Sequence, residues 1–308
     1  TAMSAQASDM SAWLLMGLPG AIMAFGFGQM WIGIGLALGT AANWIFVAKR
    51  LRKFSRAAGD AITVPQYLGN RFLTKSNTLQ VICAIIFFVC FTIYVASAYV
   101  AGASIFTTIF PSLSTQKAML IFAVAMLAIT FFGGFKAVCW TDFFQGLLMF
   151  FALLAVPIIV VLTQDLDTTA LTTVYSYQDA VSGEIIKCSF GSGIFDASWQ
   201  EILSGLAWGL GYFGMPHILV RFMSIEKPSM VKKSATMAIG WVIITLGCAC
   251  LIAYMGRMMI GQELLTTGSQ KMVFVVLARK LFPAFGAGIL MAAIMAASMS
   301  TADSQLLV

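Results

Sequence analysis

The N-terminal apolar segment is the feature that most constrains what this chain can form. Residues 4–20 read SAQASDMSAWLLMGLPG, and the apolar run continues to Phe27, which is about long enough to cross a bilayer as a helix. The first third is small and polar and contains Asp9, a carboxylate that is costly at membrane depth unless it faces an ion or substrate path. The segment therefore predicts a broken helix that lines a cavity. The alternative is a helix-packing face in which Asp9 pairs with a neighbouring helix.

Apolar runs of similar length recur along the whole chain. Of the 308 residues, 60% are hydrophobic and 10% are charged, which excludes an ordinary soluble domain. We predict an all-α, multi-pass membrane protein with about eight membrane-spanning helices. Their windows are residues 3–27, 29–48, 77–110, 117–135, 140–163, 198–222, 235–258 and 283–308.

Basic residues between the predicted spans indicate an orientation. The stretch 49–53 reads KRLRK and is expected to be a cytoplasmic loop. Alternation from this loop puts twelve of the 18 Lys and Arg residues on the same side and six on the other, while the long outer loop 164–197 is acidic. Because the chain begins and ends inside apolar runs, we expect it to be a fragment of a longer protein.

A second interrupted helix is predicted in the sixth span. Residues 198–223 read SWQEILSGLAWGLGYFGMPHILVRFM, and the four glycines and the proline in the middle disfavour a regular helix. Trp208, Tyr212 and Pro216 share one helix face. Interrupted helices at corresponding positions in two halves indicate a transporter site within an inverted repeat. We therefore expect spans 1–5 to form one repeat and spans 6–8 to begin a second.

Four motifs resemble those of the sodium/solute symporter family, and within it most closely the bacterial sodium/proline symporters. They are SAQASDMSAWLLMGLPGA, WTDFFQG in the fifth span, WGLGYFGMPHILVRFM, and AASMSTADSQLLV at the end of the chain. The resemblance implies a leucine-transporter-like fold with a 5+5 inverted repeat. Residues 1–163 would form the first repeat, 164–197 an outer loop, and 198–308 an incomplete second repeat.

The resemblance also implies a sodium ion between the break in the first helix and the eighth helix. Hard cations take oxygen ligands, and unwound backbone supplies carbonyls without buried charge. A hydroxyl that merely bonds back to its own helix is the alternative for the Ser-Thr pair in the eighth span. The ligands carried over from the family are the carbonyls of Ala7, Met10 and Ala297 and the hydroxyls of Ser300 and Thr301.

Carboxylates beside these positions resemble a second cation site or a sodium release path of the family. Asp9 either binds sodium directly or holds the broken segment through hydrogen bonds. For Asp142 the alternative is a position at the cytoplasmic interface beside Lys136. The residues of this second group are Asp9, Asp142, Asp303 and Ser304.

The family resemblance places the solute against the two broken helices and the third span. An aromatic and proline-lined wall suits a compact apolar ring such as proline, and half-helix N-termini can meet its carboxylate. Close relatives have glycine at the position of Ala12, whose methyl group would narrow the pocket. We expect His217 to be structural or bonded to a partner. The expected substrate residues are Ser11, Ala12, Tyr94, Trp208, Tyr212 and Pro216.

These features together predict sodium-coupled symport of a small solute, proline above all, by alternating access in the bacterial inner membrane. The expected partners are Na+, the solute and the lipid bilayer, without nucleic acid. The sequence contains no catalytic triad, zinc-ligand spacing or phosphate loop, so we do not expect an enzyme. The alternatives are the same fold with another amino acid, a carboxylate or a vitamin as substrate, a symporter-like sensor module of a histidine kinase, and an inactive, incomplete gene product.

Overall fold

The first helix is broken, as the sequence predicts. The computed structural model describes residues 1–191 and 193–308. Helix α1 (Ala2–Met10) ends at Ser11, which adopts a φ of 49°, and a short 3-10 turn precedes α2 (Gly17–Phe25). Positive φ is uncommon outside glycine. The Ser11 hydroxyl accepts a hydrogen bond from the backbone N–H of Trp13 at 3.1 Å, which satisfies one of the donors that the break exposes.

The second span continues further than predicted. Helix α3 (Met30–Ala42) passes through a π-helical stretch, Asn43–Ala48, into α4 (Lys49–Ala57). The prediction of a loop at residues 49–53 is therefore wrong, and the reason is that Lys, Arg and Leu are good helix formers. A short helix, α5 (Val64–Arg71), follows, and α6 (Thr78–Ile109) coincides with the third predicted span.

The fourth and fifth predicted spans meet at a single residue. Helix α7 (Thr115–Thr163) runs through both windows, and Gly134 interrupts it with a φ of 60° and a ψ of −172°. This backbone conformation is accessible mainly to glycine. The sequence predicted a short connection here, and the structure reduces it to one residue.

The segment after α7 contains strands that the sequence did not predict. After the short helix α8 (Thr169–Thr172), strands β1 (Tyr175–Gln178) and β2 (Ile185–Cys188) pair antiparallel, with Tyr175 opposite Cys188. We call residues 175–188 the hairpin.

The sixth span is also broken, as predicted. Helix α9 (Trp199–Ala207) is followed by a 3-10 stretch, Trp208–Phe213, and α10 (Pro216–Met223) begins at the proline, where a missing N–H costs nothing. The chain then forms α11 (Val231–Leu265), α12 (Val273–Leu281) and α13 (Ala284–Leu306).

The prediction of a helical, multi-pass membrane protein is confirmed. In the described part of the chain, five continuous helical segments are long and apolar enough to cross a membrane. The predicted number of eight differs because spans one and six are split into short helices, while spans four and five are joined at Gly134. The five segments are Phe27–Ala57, Thr78–Ile109, Thr115–Thr163, Pro228–Leu265 and Ala284–Leu306.

Facing glycines bring the second span against the second broken helix. A methyl group on Gly35 would overlap the carbonyl of Gly205, and one on Gly39 would overlap that of Gly209. Small residues at a helix–helix contact allow the two backbones to approach closely. This contact holds the 3-10 stretch of the sixth span in place beside α3.

A buried arginine ties the hairpin to the end of the first span. The Arg257 guanidinium donates to the backbone carbonyls of Met23 (2.7 Å), Thr173 (2.6 Å) and Cys188 (3.2 Å). Its side chain also lies against the Tyr175 ring, 5.0 Å from the ring centre. Burial raises the pKa of the Cys188 thiol, and the neighbouring guanidinium acts in the opposite direction. One side chain on α11 thus joins α2 and the hairpin.

Candidate functional site

The residues predicted to bind sodium meet where α13 crosses the end of α1. The Ser300 hydroxyl lies 2.8 Å from the carbonyl oxygen of Ala7 and 3.1 Å from that of Ala297, and all three residues are fully buried. The second contact is the bond back to its own helix that the sequence left open as an alternative. The first joins α1 to α13 through two residues that are 293 positions apart in the chain. Met10 is the last residue of α1 and is also buried.

Thr301 adds an oxygen with no partner to this group. Its hydroxyl oxygen is buried and has no hydrogen-bond partner among the described residues. A buried polar group without a partner costs free energy, so such groups are rare in folded proteins. A hard cation would take this oxygen together with neighbouring carbonyls and the Ser300 hydroxyl. The residues present therefore fit a sodium ion.

Asp9 lies against the second broken helix. One carboxylate oxygen is 3.6 Å from Nε2 of His217, and both side chains are almost completely buried. The Tyr94 hydroxyl is 3.4 Å from the backbone carbonyl of Asp9. His217, at the start of α10, therefore faces the Asp9 carboxylate, but neither of its ring nitrogens has a hydrogen-bond partner among the described residues. The expectation that His217 is structural or bonded to a partner stays a prediction. These contacts connect α1 to α6 and α10.

Asp142 forms a buried ion pair that the sequence did not reveal. Its Oδ2 accepts from Arg221 Nη2 at 2.8 Å and from the Ser4 hydroxyl at 2.6 Å, and Ser304 lies 3.3 Å away. Asp142 is fully buried, so it does not lie at an exposed interface beside Lys136. Arg221 lies at the end of the predicted span 198–222 and is 2% exposed inside the bundle.

The second predicted cation group keeps several unpartnered oxygens. Asp303 is fully buried, and neither of its carboxylate oxygens has a partner among the described residues; the same holds for Oδ1 of Asp142. Arg221 is the basic side chain paired with this group. Buried carboxylates with one basic partner between them require a further cation or a proton.

Four of the six expected solute residues, Ser11, Tyr94, Trp208 and Tyr212, line a small cavity at the two breaks. Trp13 and Trp208 stack on each other in its wall with ring centres 5.4 Å apart, and Trp13 was missed because aromatic residues beside a break are usually packing. Pro216 is buried but is not in its wall, and Ala12 lines a neighbouring cavity of about 580 Å³ together with Thr301. The small cavity has a volume of about 230 Å³, and its wall consists of Asp9, Met10, Ser11, Trp13, Leu36, Tyr94, Ser97, Trp208, Tyr212 and Met215.

Two interrupted helices with oxygen ligands and an aromatic cavity between them define the class of secondary transporters. The sequence matches the Sodium:solute symporter family over residues 1–308, and the chain belongs to this family. It is 39% identical to the sodium/proline symporter of Staphylococcus aureus over 308 residues, and equally identical to that of S. aureus strain JH9. The matches cover 100% of this chain and 58% of each relative, so the chain spans little more than half the length of these proteins.

A solved structure supports the fold. A Na+-coupled sialic acid symporter in a substrate-bound outward-open state superposes with a TM-score of 0.70, covering 99% of this chain and 63% of that one. The sequence identity is 17%, so the likeness concerns the fold. The predicted family is therefore confirmed, and the family, the relatives and this structure are all named for sodium coupling.

Proposed function

We propose that the protein to which this chain belongs couples the uptake of a small solute, proline, to the entry of Na+ by alternating access. The observation that carries the proposal is the contact of Ser300 with the carbonyls of Ala7 and Ala297, beside the unpartnered hydroxyl of Thr301. A sodium ion bound there joins α13 to the end of α1 and orders the break at Ser11. The cavity next to the break then has the shape that the solute needs.

Proline as the solute is supported by the cavity and by the names of the relatives. The volume of about 230 Å³ is below the range typical of sites for drug-sized ligands, which suits a compact molecule. The stacked Trp13 and Trp208 offer an apolar wall to a saturated ring. The 39% identical relatives are named sodium/proline symporters. All reported relatives are transporters by name, which favours transport over a histidine-kinase sensor module.

The architecture we propose is a 5+5 inverted repeat of which this chain holds eight spans. Residues 1–163 form the first repeat, 164–197 the outer loop and 198–308 the incomplete second repeat. The breaks after Met10 and Ala207, five spans apart, support this division. The bundle of spans 1, 2, 6 and 7 rocks against the others around the fixed site. We place the basic end of the bundle in the cytoplasm and the protein in the bacterial inner membrane.

The second group of carboxylates serves, in this proposal, as a release path or a second cation site. Asp142 and Ser304 both bind the Arg221 guanidinium, and Asp303, next to Ser304 in the chain, keeps two buried oxygens without a partner among the described residues. Sodium that leaves Ser300 towards the cytoplasmic end meets these oxygens first. In this proposal the Asp9 carboxylate holds the broken segment through its contact with His217 instead of binding the ion itself, and Tyr94 contacts the Asp9 backbone carbonyl.

Uptake of labelled proline into proteoliposomes by the full-length protein tests the proposal. We expect accumulation that requires an inward sodium gradient and is abolished by unlabelled proline. Sodium-dependent binding of another solute without proline uptake would keep the sodium site and replace the substrate. If the protein shows no proline uptake and no sodium-dependent binding of any tested solute, the proposed function is overturned.

A further inference from the structure

One end of the bundle exposes basic and apolar side chains together. Helix α4 carries Lys49, Arg50, Lys53 and Arg56 on its exposed side, and α5 adds Arg71. We call these five residues the basic face. The Arg71 guanidinium lies 4.9 Å from the centre of the Phe54 ring, so the two helices form one continuous surface.

The basic face follows an exposed apolar stripe on the π-helical stretch that leads into α4. Ile45 and Phe46 are each 60% exposed, and Lys49, Arg50 and Lys53 follow on the same side one and two turns later. A helix rises about 1.5 Å per residue, so the change from apolar to basic occurs within one turn. Such a change marks the depth at which a helix leaves the hydrocarbon and enters the headgroup layer.

Large apolar side chains are exposed around the basic face as well. They flank α4 and α5, where a purely aqueous surface would carry polar groups. Apolar and basic residues exposed together are typical of a surface that lies in the membrane interface. The exposed fractions are 44% for Phe54, 72% for Ile62, 68% for Phe72 and 85% for Leu73.

The charges of the basic face are not neutralised within the described part of the chain. Lys49, Arg50 and Lys53 form no ion pair there, while the neighbouring Asp60 pairs with Arg52, whose side chain is 9% exposed. Arg56 donates to the backbone carbonyl of Glu226 and keeps its charge. The surface therefore offers several cationic donors to an external anion at headgroup depth.

We propose that the basic face binds the headgroups of anionic phospholipids, such as phosphatidylglycerol, in the leaflet that it contacts. The phosphate groups accept hydrogen bonds from the lysines and arginines, and the acyl chains lie along Ile45 and Phe46. Clusters of four to eight basic residues next to a membrane-spanning helix attract anionic lipid in this way. The proposal depends on neither the sodium site nor the solute.

Native mass spectrometry of the purified protein, mixed with equal amounts of phosphatidylglycerol and phosphatidylcholine, tests this proposal. We expect the wild type to retain phosphatidylglycerol preferentially. The variant Lys49→Gln/Arg50→Gln/Lys53→Gln should lower that preference by at least about tenfold, because each basic residue contributes separately to the attraction. The matched control, Lys117→Gln/Lys187→Gln/Lys271→Gln, removes three exposed charges away from the basic face and should retain the preference.

One further variant and one further measurement distinguish loss of the basic face from a general loss of charge or fold. The variant Lys49→Arg/Lys53→Arg keeps the charge and should bind as the wild type does, and circular dichroism should show equal helicity in all samples. Equal loss in the Gln variant and its control, or no preference for phosphatidylglycerol in the wild type, would overturn the proposal. Release of the lipid by inorganic phosphate at constant ionic strength would identify a free phosphate as the ligand and would also overturn it.

Discussion

At the scale of single residues, a substitution at Thr301 distinguishes a role as a sodium ligand from a structural role. Its hydroxyl has no partner among the described residues, so Thr301→Val removes no bond of the protein and keeps the shape of the side chain. We expect the free energy of unfolding in detergent without sodium to stay equal or to rise by about 1 kcal/mol. The sodium concentration for half-maximal proline uptake should increase by at least about tenfold, since a hard cation loses one oxygen ligand.

A nearby serine on the same helix provides the control for this substitution. The hydroxyl of Ser298 donates to the carbonyl of Ile294, one turn earlier in the same helix, at 3.1 Å. Ser298→Ala should therefore leave the sodium dependence unchanged. If both variants changed the sodium dependence equally, Thr301 would have no special role as a ligand.

The buried pair of Arg221 and Asp142 predicts a non-additive effect on stability. Arg221→Met leaves the Asp142 carboxylate buried without its cation, which should lower the free energy of unfolding by about 3–5 kcal/mol. Arg221→Met combined with Asp142→Asn removes both charges and should cost clearly less than the sum of the single variants. Unfolding of the four proteins in detergent gives the double-mutant cycle, and strict additivity would contradict the pairing.

At the scale of elements, the glycine contact between α3 and the second broken helix predicts that Gly→Ala lowers stability at this contact but not at an open position on another helix. Gly39→Ala would force a methyl group against the Gly209 carbonyl and should destabilise the protein by roughly 1–3 kcal/mol. Gly247→Ala, on α11, meets nothing within 4 Å and should be neutral or stabilising by up to about 1 kcal/mol. Thermal unfolding compares the two variants directly, and an equal effect would show that helix propensity alone matters.

The elements also show which parts of the structure the sequence could predict. Both breaks were predictable, because small polar residues around Asp9 and glycines before Pro216 are local causes of an interrupted helix. The continuation of the second span into α4 was not predictable in this way. The positive charges of Lys and Arg suggested a loop, but the helix propensity of these residues prevailed. The hairpin escaped prediction because its short strands depend on the packing of Arg257, Tyr175 and the end of α2.

The site shows the same division. The contact of Ser300 with Ala7 agrees with a set of ligands that followed from the family motifs, and its oxygen chemistry could be argued from the residues alone. The pairing of Arg221 with Asp142 joins residues 79 positions apart and depends on how α10 and α7 both pack against α1. The sequence places Arg221 near the end of the sixth span, and only the tertiary arrangement reveals its partner.

At the scale of the whole molecule, the proposed orientation predicts which ends of the helices face each side. Arg56 contacts the carbonyl of Glu226, so the basic face and the connection between α10 and α11 lie at one end of the bundle. The hairpin lies at the other end with Arg257. In a cysteine-free variant, Ser182→Cys should react with a membrane-impermeant maleimide on intact cells, and Arg50→Cys should react only after the membrane is permeabilised. The reverse pattern would contradict the orientation.

The bonds of Arg257 have a practical consequence for observing the transport cycle. This one side chain fixes the hairpin to the outer end of the first span and to the seventh span, which are both members of the bundle that rocks in the proposed mechanism. A fluorophore or a nanobody attached at the hairpin turn would therefore follow the bundle and not the rest of the protein. The hairpin takes no part in binding sodium or solute, but a label attached to it would report, or arrest, the movement of the transport helices.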